Sequence, residues 1–201
     1  MRLESVSSTQ DVARELPVGS IVVADEQTAG RGRLDRRWEA PPGGALLASF
    51  VVAPNPLASI AAGVAAAEAC GPEVRLKWPN DLLLDDRKLG GILVEGRGGK
   101  MVIGVGINLG WAPPDAARLP GVDREELLER LRGELDEWLA EPGAAVLDRW
   151  RTRSATLGRR VRLELPHGFV EGVAEDIAPD GALVVDGTAV HAGDVVHLRG
   201  S

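Results

Sequence analysis

Residues 27–38, Gln-Thr-Ala-Gly-Arg-Gly-Arg-Leu-Asp-Arg-Arg-Trp, place the strongest constraint on what this chain can fold into. Gly30 and Gly32 admit backbone conformations closed to other residues and let a ligand come close, while Arg31, Arg33, Arg36 and Arg37 surround that backbone with guanidinium donors. Such a loop suits an anion and needs a rigid support. The apolar run at 21–24, Ile-Val-Val-Ala, reads as a buried strand that supplies one. A solvated basic loop with turn glycines satisfies the same local pattern, so the rest of the chain has to decide between the two.

At 201 residues the chain suits one domain of ordinary size, or one with a small appendage, with enough length to bury a core. Its 23 basic and 30 acidic residues leave a net charge of −7, which gives no general attraction to nucleic acid or to an anionic membrane. The arginine cluster therefore stands out against an acidic background. No apolar stretch has the form of a signal peptide or a membrane span, so a cytoplasmic protein is expected. Cys70 is the single cysteine, which rules out an internal disulfide and any zinc pattern. It ends the Ala-rich run 60–70, where a small buried helix residue is expected rather than a nucleophile. His167, His191 and His197 all fall in the last quarter, so chemistry at the arginine loop is expected not to use histidine.

Along the chain, Ser8 or Thr9 can cap a short helix before Val12, Ala13 and Leu16, either as a plain cap or with its free N–H groups aimed at a ligand. Residues 45–52 form an apolar run buried on both faces, and residues 57–70 an Ala-rich helix packed across a sheet. Residues 74–95 read as strand, polar loop, strand, turn at 85–87, strand. Lys88 follows that turn and precedes Gly90 and Gly91, where missing side chains indicate a close backbone or a ligand. Lys88 is thus either a point charge for phosphate or carboxylate, or a solvated turn lysine. In the strand 101–109, Gly104 and Gly106 share a stripped face, and Asn108 ends it with a group that can donate and accept. Residues 110–121, with Pro113, Pro114 and Pro120, form a long irregular loop able to close over a ligand and, like the arginine loop at 31–37, expected to be mobile without one. Asp123 caps an amphipathic helix over 123–139, a second helix covers 142–157, and several short strands after Gly158 suggest a small β-barrel.

Three motifs stand in order: Gln27-Thr-Ala-Gly-Arg-Gly-Arg; Lys77-Trp-Pro-Asn-Asp with Arg87-Lys-Leu-Gly-Gly-Ile-Leu-Val-Glu; and Gly104-Val-Gly-Ile-Asn. Together they closely resemble biotin protein ligases, the biotin–[acetyl-CoA-carboxylase] ligases, over essentially the whole chain, since the segment 193–199 also resembles the family's small C-terminal barrel. The resemblance implies an α+β fold, a mixed β-sheet with packed helices related to class II aminoacyl-tRNA synthetases, in a catalytic domain at 1–157. An SH3-like β-barrel at 158–201 completes it. It also implies ATP-dependent activation of biotin to biotinyl-5'-AMP and transfer to a lysine of a biotin carboxyl carrier domain of an acyl-CoA carboxylase. Biotin, ATP and Mg²⁺ are the implied small molecules.

By the same resemblance, Ser8, Thr9 and Gln10 match a biotin-pocket segment that usually reads Ser-Thr-Asn, and Gln27 matches the residue holding the biotin rings. Gly30, Arg31, Gly32 and Arg33 match the loop over biotin and the adenylate, with Gly91 beside it. Lys88 matches the lysine on carboxylate and phosphate oxygens, and Arg36, Asn80 and Asn108 match the ATP side. Arg33 and Lys88 are expected to stabilise charge, and Asp81 to orient or deprotonate the acceptor lysine. Leu34 and Asp35 replace a common Arg-Gly, which leaves the loop's closing motion in question. A lipoate ligase shares the fold, but Gln27 and the polar segment 8–10 suit a ureido ring better than a dithiolane. A biotin-sensing repressor is disfavoured by the early start of the motifs and the net charge, so no nucleic acid or membrane partner is expected. Retention of Arg33 and Lys88 argues against a mere biotin binder. Monomer and homodimer both remain open.

Overall fold

The computed structural model describes residues 1–34, 36–165 and 168–198. Asp35 and His167, named in the readings above, and Arg199, the last residue of the segment 193–199, lie outside the described residues. The first strand, β1 (Arg2–Val6), runs parallel to β2 (Ile21–Gln27), with the short helix α1 (Thr9–Ala13) between them. Next come β3 (Ala45–Val52), α2 (Ala58–Cys70), β4 (Arg75–Lys77), β5 (Asp81–Leu84), β6 (Arg87–Arg97) and β7 (Lys100–Asn108). They complete a seven-stranded sheet of order β1-β2-β3-β7-β6-β5-β4, antiparallel apart from the first pair. The mixed sheet expected above is therefore present.

Burial explains the local sequences. All but the last residue of β3 is buried, because Leu46, Ala48 and Phe50 join the main hydrophobic core on one face while α1 covers the other beside Val51. Helix α2 is apolar on every side and accordingly sits between the sheet and two further helices, α3 (Arg124–Ala140) and α4 (Gly143–Arg153). Asp123 caps α3 as expected, accepting hydrogen bonds from the N–H groups of Glu125 and Glu126 at 2.9 Å. Asp85 and Asp86 both have positive φ and make the tight β5–β6 turn that delivers Lys88.

After α4 the chain forms a second, five-stranded antiparallel sheet of order β11-β10-β9-β8-β12. Its strands are β8 (Arg160–Leu165), β9 (Gly168–Ile177), β10 (Leu183–Val185), β11 (Thr188–Val190) and β12 (Asp194–His197). Its terminal strands β11 and β12 do not pair with each other among the described residues. This unit shares one hydrophobic core with the first, and Trp78 joins them: its indole N–H donates to Gly181 O at 3.0 Å and its backbone N–H to Thr156 Oγ1 at 3.0 Å. No helix is long and apolar enough to cross a membrane among the described residues.

Candidate active site

A cleft of about 410 Å³ opens between the first sheet, the arginine loop and β12 of the second sheet. Its floor follows from strand register. Gly91 pairs with Gly106 and Gly106 with Leu47, and one row further along Leu93 pairs with Gly104 and Gly104 with Ser49. The stripped face read from the glycines is thus real, and it has occupants. A Cβ on Gly104 would lie 3.0 Å from the Gln10 carboxamide, and one on Gly106 would lie 2.6 Å from the Trp38 ring. At Gly90 the neighbour is backbone, since a Cβ there would meet Gly106 O at 2.5 Å.

At one end of the cleft Gln27 Oε1 accepts from Thr9 N at 2.8 Å and from Thr9 Oγ1 at 3.0 Å, and Thr9 Oγ1 lies 2.8 Å from Ser49 Oγ. Ser8 occupies the N-cap position of α1 but makes no capping bond. The Thr9 N–H at the start of this one-turn helix is instead taken by Gln27. Ser8 Oγ and Gln10 Oε1 are buried without a protein partner among the described residues. Buried polar atoms usually find partners, and both residues line the cleft, which suits a polar ligand at this end.

The arginine loop is a small hairpin. Arg31 bridges Arg37, Gly32 N donates to Arg36 O at 2.7 Å, and Leu34 stands at its tip with φ of 54°. Arg31 grips Asp11 bidentately, with both contacts at 2.9 Å, and reaches Glu95 at 3.5 Å. Glu95 also accepts from Arg14 at 2.6 Å and from Gln10 at 2.9 Å. The Arg31 hydrogen bond holds the Asp11 carboxyl below its ordinary range, and Asp11 in turn raises the Arg31 guanidinium. The loop is thereby tied to α1 and β6 through charged groups.

Towards the second sheet, Lys88 Nζ lies 2.6 Å from Asp81 Oδ1. Arg33 donates to Asn80 Oδ1 and to Gly193 O, both at 3.4 Å, and burial lowers its pKa despite Asp194 and Asp81 nearby. Arg36 pairs with Asp194. Asn80 is fixed by donating to Ile92 O at 2.7 Å, and Asn108 by donating to Ala117 O at 2.9 Å. Asn108 O and Lys88 O accept from Leu119 N and Ala117 N, so the loop at 110–121 is pinned to β6 and β7. Burial pushes the Cys70 thiol up to about 12, which leaves it no nucleophilic thiolate.

Comparison with known proteins decides what this cleft belongs to. Residues 3–111 match the biotin/lipoate A/B protein ligase family and residues 156–198 the biotin protein ligase C terminal domain. The chain belongs to the biotin protein ligase family. It is 39% identical over 213 residues to the biotin–[acetyl-CoA-carboxylase] ligase of Mycobacterium tuberculosis, covering 90% of this chain and 80% of that protein. The ligase of the same name from Paracoccus denitrificans is 35% identical over 208 residues, covering 84% of each. A solved structure of a biotin protein ligase from Aquifex aeolicus in complex with biotin and ATP matches with a TM-score of 0.86 at 27% identity, covering all of this chain and 98% of that one. A biotin protein ligase from Leishmania major in complex with biotinyl-5-AMP matches with a TM-score of 0.71, also at 27% identity, over 99% of this chain and 98% of that one.

Of the residues expected in the family's site, Ser8, Thr9, Gln10, Gln27, Arg31, Gly32, Arg33, Arg36, Asn80, Asp81, Lys88, Gly91 and Asn108 all line the cleft. Gly30 does not. It permits the return leg of the hairpin to pass, because a Cβ there would stand 2.4 Å from Trp38 O. Sequence reasoning assigned no role to Trp38, Lys77, Glu95 or Asp194. For Trp38, the signal was Gly106, an empty strand position that demanded an occupant.

Proposed function

We propose that this protein is an ATP-dependent ligase that activates biotin as biotinyl-5'-AMP and transfers it to a lysine of a biotin carboxyl carrier domain of an acyl-CoA carboxylase. The observation that carries this reading is the cleft of a biotin protein ligase lined by Arg33 and Lys88, with a glycine floor and unpartnered polar atoms of Ser8 and Gln10. Both nucleophiles belong to the substrates. A biotin carboxylate oxygen attacks the α-phosphorus of ATP, the bond to the β-phosphate oxygen breaks, and pyrophosphate leaves with the electron pair. The acceptor lysine amine then attacks the acyl carbon, and AMP departs.

The protein contributes position, charge and exclusion of water. Thr9, Gln10 and Gln27, with Ser8, suit the fused polar rings of biotin at one end, while Arg33 and Lys88 gather the carboxylate and α-phosphate. Arg36, Asn80 and Asn108 serve the nucleotide side. Asp81, already on the Lys88 ammonium, is placed to receive or orient a second ammonium from the carrier. Mg²⁺, which keeps several waters and binds readily through phosphates, would arrive on ATP rather than in a protein cage. Use of ATP and a carboxylase carrier supports a cytoplasmic location.

ATP–pyrophosphate exchange with purified protein and Mg²⁺ tests the first half-reaction, run with biotin, with lipoate and with no acid. Exchange with biotin alone is expected. Exchange with lipoate instead moves the assignment to lipoate activation, and exchange with neither overturns adenylation.

A further inference from the structure

Lys77 is a cation of the cleft, on the sheet itself, that the mechanism above does not use. It ends β4, is largely buried and lines the cleft. It makes no ion pair or side-chain hydrogen bond among the described residues. Its neighbours differ in this respect: Lys88 holds Asp81, Arg36 holds Asp194 and Arg31 holds Asp11. Burial lowers the pKa of Lys77; among the charges around it Asp81 opposes that shift most, Lys88 adds to it, and Asp194 and Arg36 follow with opposite signs. His197, on the adjoining strand β12, adds no negative charge. It is neutral at pH 7, its pKa pushed down to about 4 by burial and by Lys77 and Arg159, and its Nε2 is buried without a partner among the described residues. A partly desolvated ammonium whose nearest acids are already held by Lys88 and Arg36 is costly unless an anion completes it.

Register says which anion. Lys77 pairs with Asp81, Asp81 with Gly91, Gly91 with Gly106 and Gly106 with Leu47, so all five stand in one row across β4, β5, β6, β7 and β3. Gly104, against which Gln10 packs, lies one row along on β7. At the usual spacing between strands, β4 is about 14 Å from β7. The ammonium of Lys88, beside Gly91 and Asp81, lies part-way between. An acid seated near Gly104 and Gln10 therefore brings its carboxylate towards Lys88 and Arg33, and whatever continues past the α-phosphate runs on to Lys77.

We propose that Lys77 binds the β- and γ-phosphates of ATP and holds the pyrophosphate leaving group, as the terminal cation of a row in which Lys88 serves the carboxylate and α-phosphate. This rests on the adenylation reading. The charge that appears on the β-phosphate oxygen as its bond to the α-phosphorus breaks is met by an ammonium already partly desolvated, which favours departure. A point charge on a flexible stem suits an anion with several equivalent oxygens.

The test is Mg-pyrophosphate titration by calorimetry, with initial-rate kinetics, on wild type, Lys77→Gln and Lys77→Arg. Lys77→Gln is expected to weaken pyrophosphate binding and raise the KM for ATP by about tenfold or more. Its KM for biotin and its transfer of biotin from added biotinyl-AMP to the carrier stay near wild type, and Lys77→Arg recovers most of the loss. Wild-type pyrophosphate affinity in Lys77→Gln, or an equal loss in adenylation and transfer, overturns the assignment. A wild-type protein that binds pyrophosphate through Lys77 but shows no biotin-dependent exchange leaves this site standing and removes the adenylation reading.

Discussion

The Lys88 ammonium rests 2.6 Å from Asp81 Oδ1, so the cation expected at the reacting phosphate begins on a carboxylate of the same cleft. On the proposed reaction an incoming acid and nucleotide would compete with Asp81 for Lys88, and once Lys88 turned to them Asp81 would be free to take an amine, so that one contact would separate the two halves. Lys88→Ala should lower biotin-dependent pyrophosphate exchange by about 100-fold or more. Asp81→Asn should spare exchange and depress transfer from preformed biotinyl-AMP to the carrier. Unchanged transfer by Asp81→Asn would remove Asp81 from the second half, and near-normal exchange by Lys88→Ala would remove Lys88 from the first.

The arginine hairpin is tied down by Arg31 through Asp11 and Glu95, all partly exposed. Such pairs are worth under about 1 kcal/mol each, so breaking one should barely change global stability. What it should change is retention of the reactive adenylate. Arg31→Ala and Asp11→Ala are both expected to speed the appearance of free biotinyl-AMP in the absence of carrier, and the double variant to be no worse than either. Additive effects would mean that the two residues do not act through their contact. Because the folded-state pKa of Asp11 lies below its unfolded value, the tie contributes stability above that unfolded value and is lost only as pH falls through the lower, folded one.

How far the sequence was legible depends on how local each cause is. The glycines of β6 and β7 announced a stripped face because an absent side chain is visible at the position itself. The buried runs of β3 and α2 were legible for the same reason. β1 was missed because its five residues, Arg2–Val6, have neither an apolar run nor a strict alternation; they are a strand only because β2 offers a parallel edge. Arg31 read as a ligand group, yet it spends its guanidinium on Asp11, 20 residues away, and on Glu95. Asp194 was an ordinary acid in a short strand until the second sheet was seen to bring it onto Arg36. Partners brought together by tertiary folding leave no mark in a local pattern, and half of this cleft is made of them.

His197 gives a pH dependence with a definite sign. Its folded pKa of about 4 lies below the ordinary histidine value of 6.5, because burial and the facing charges of Lys77 and Arg159 outweigh Asp86. Between those values the unfolded chain binds the proton that the folded one refuses, so stability falls as pH drops from 6.5 towards 4. Urea midpoints measured at pH 7 and pH 5 should show this fall, and His197→Asn should reduce it. The carboxylates of Asp11, Glu68, Asp176 and Asp180, lowered from ordinary values of 3.8 or 4.5, act at the acid end of that window and below it. An identical fall in His197→Asn would place the cause elsewhere.

Gly104 and Gly106 stand two residues apart on one strand and should fail differently. A Cβ on Gly104 presses at 3.0 Å on the end of the Gln10 side chain, a flexible group that loses its bond to Glu95 if it turns away. A Cβ on Gly106 would stand 2.6 Å from the Trp38 ring, a rigid group whose backbone N–H is hydrogen-bonded to Gly30 O, so the return leg of the arginine hairpin has to shift with it. Gly104→Ala is therefore expected to raise the KM for biotin several-fold with the KM for ATP little changed. Gly106→Ala should chiefly lower kcat and raise the KM for ATP, because it displaces the hairpin carrying Arg33 and Arg36. Tryptophan fluorescence should move only in Gly106→Ala. If the two variants changed both KM values alike, the cleft would not be divided between the two rows of its floor, and the placement of acid and nucleotide along it would have to be redrawn.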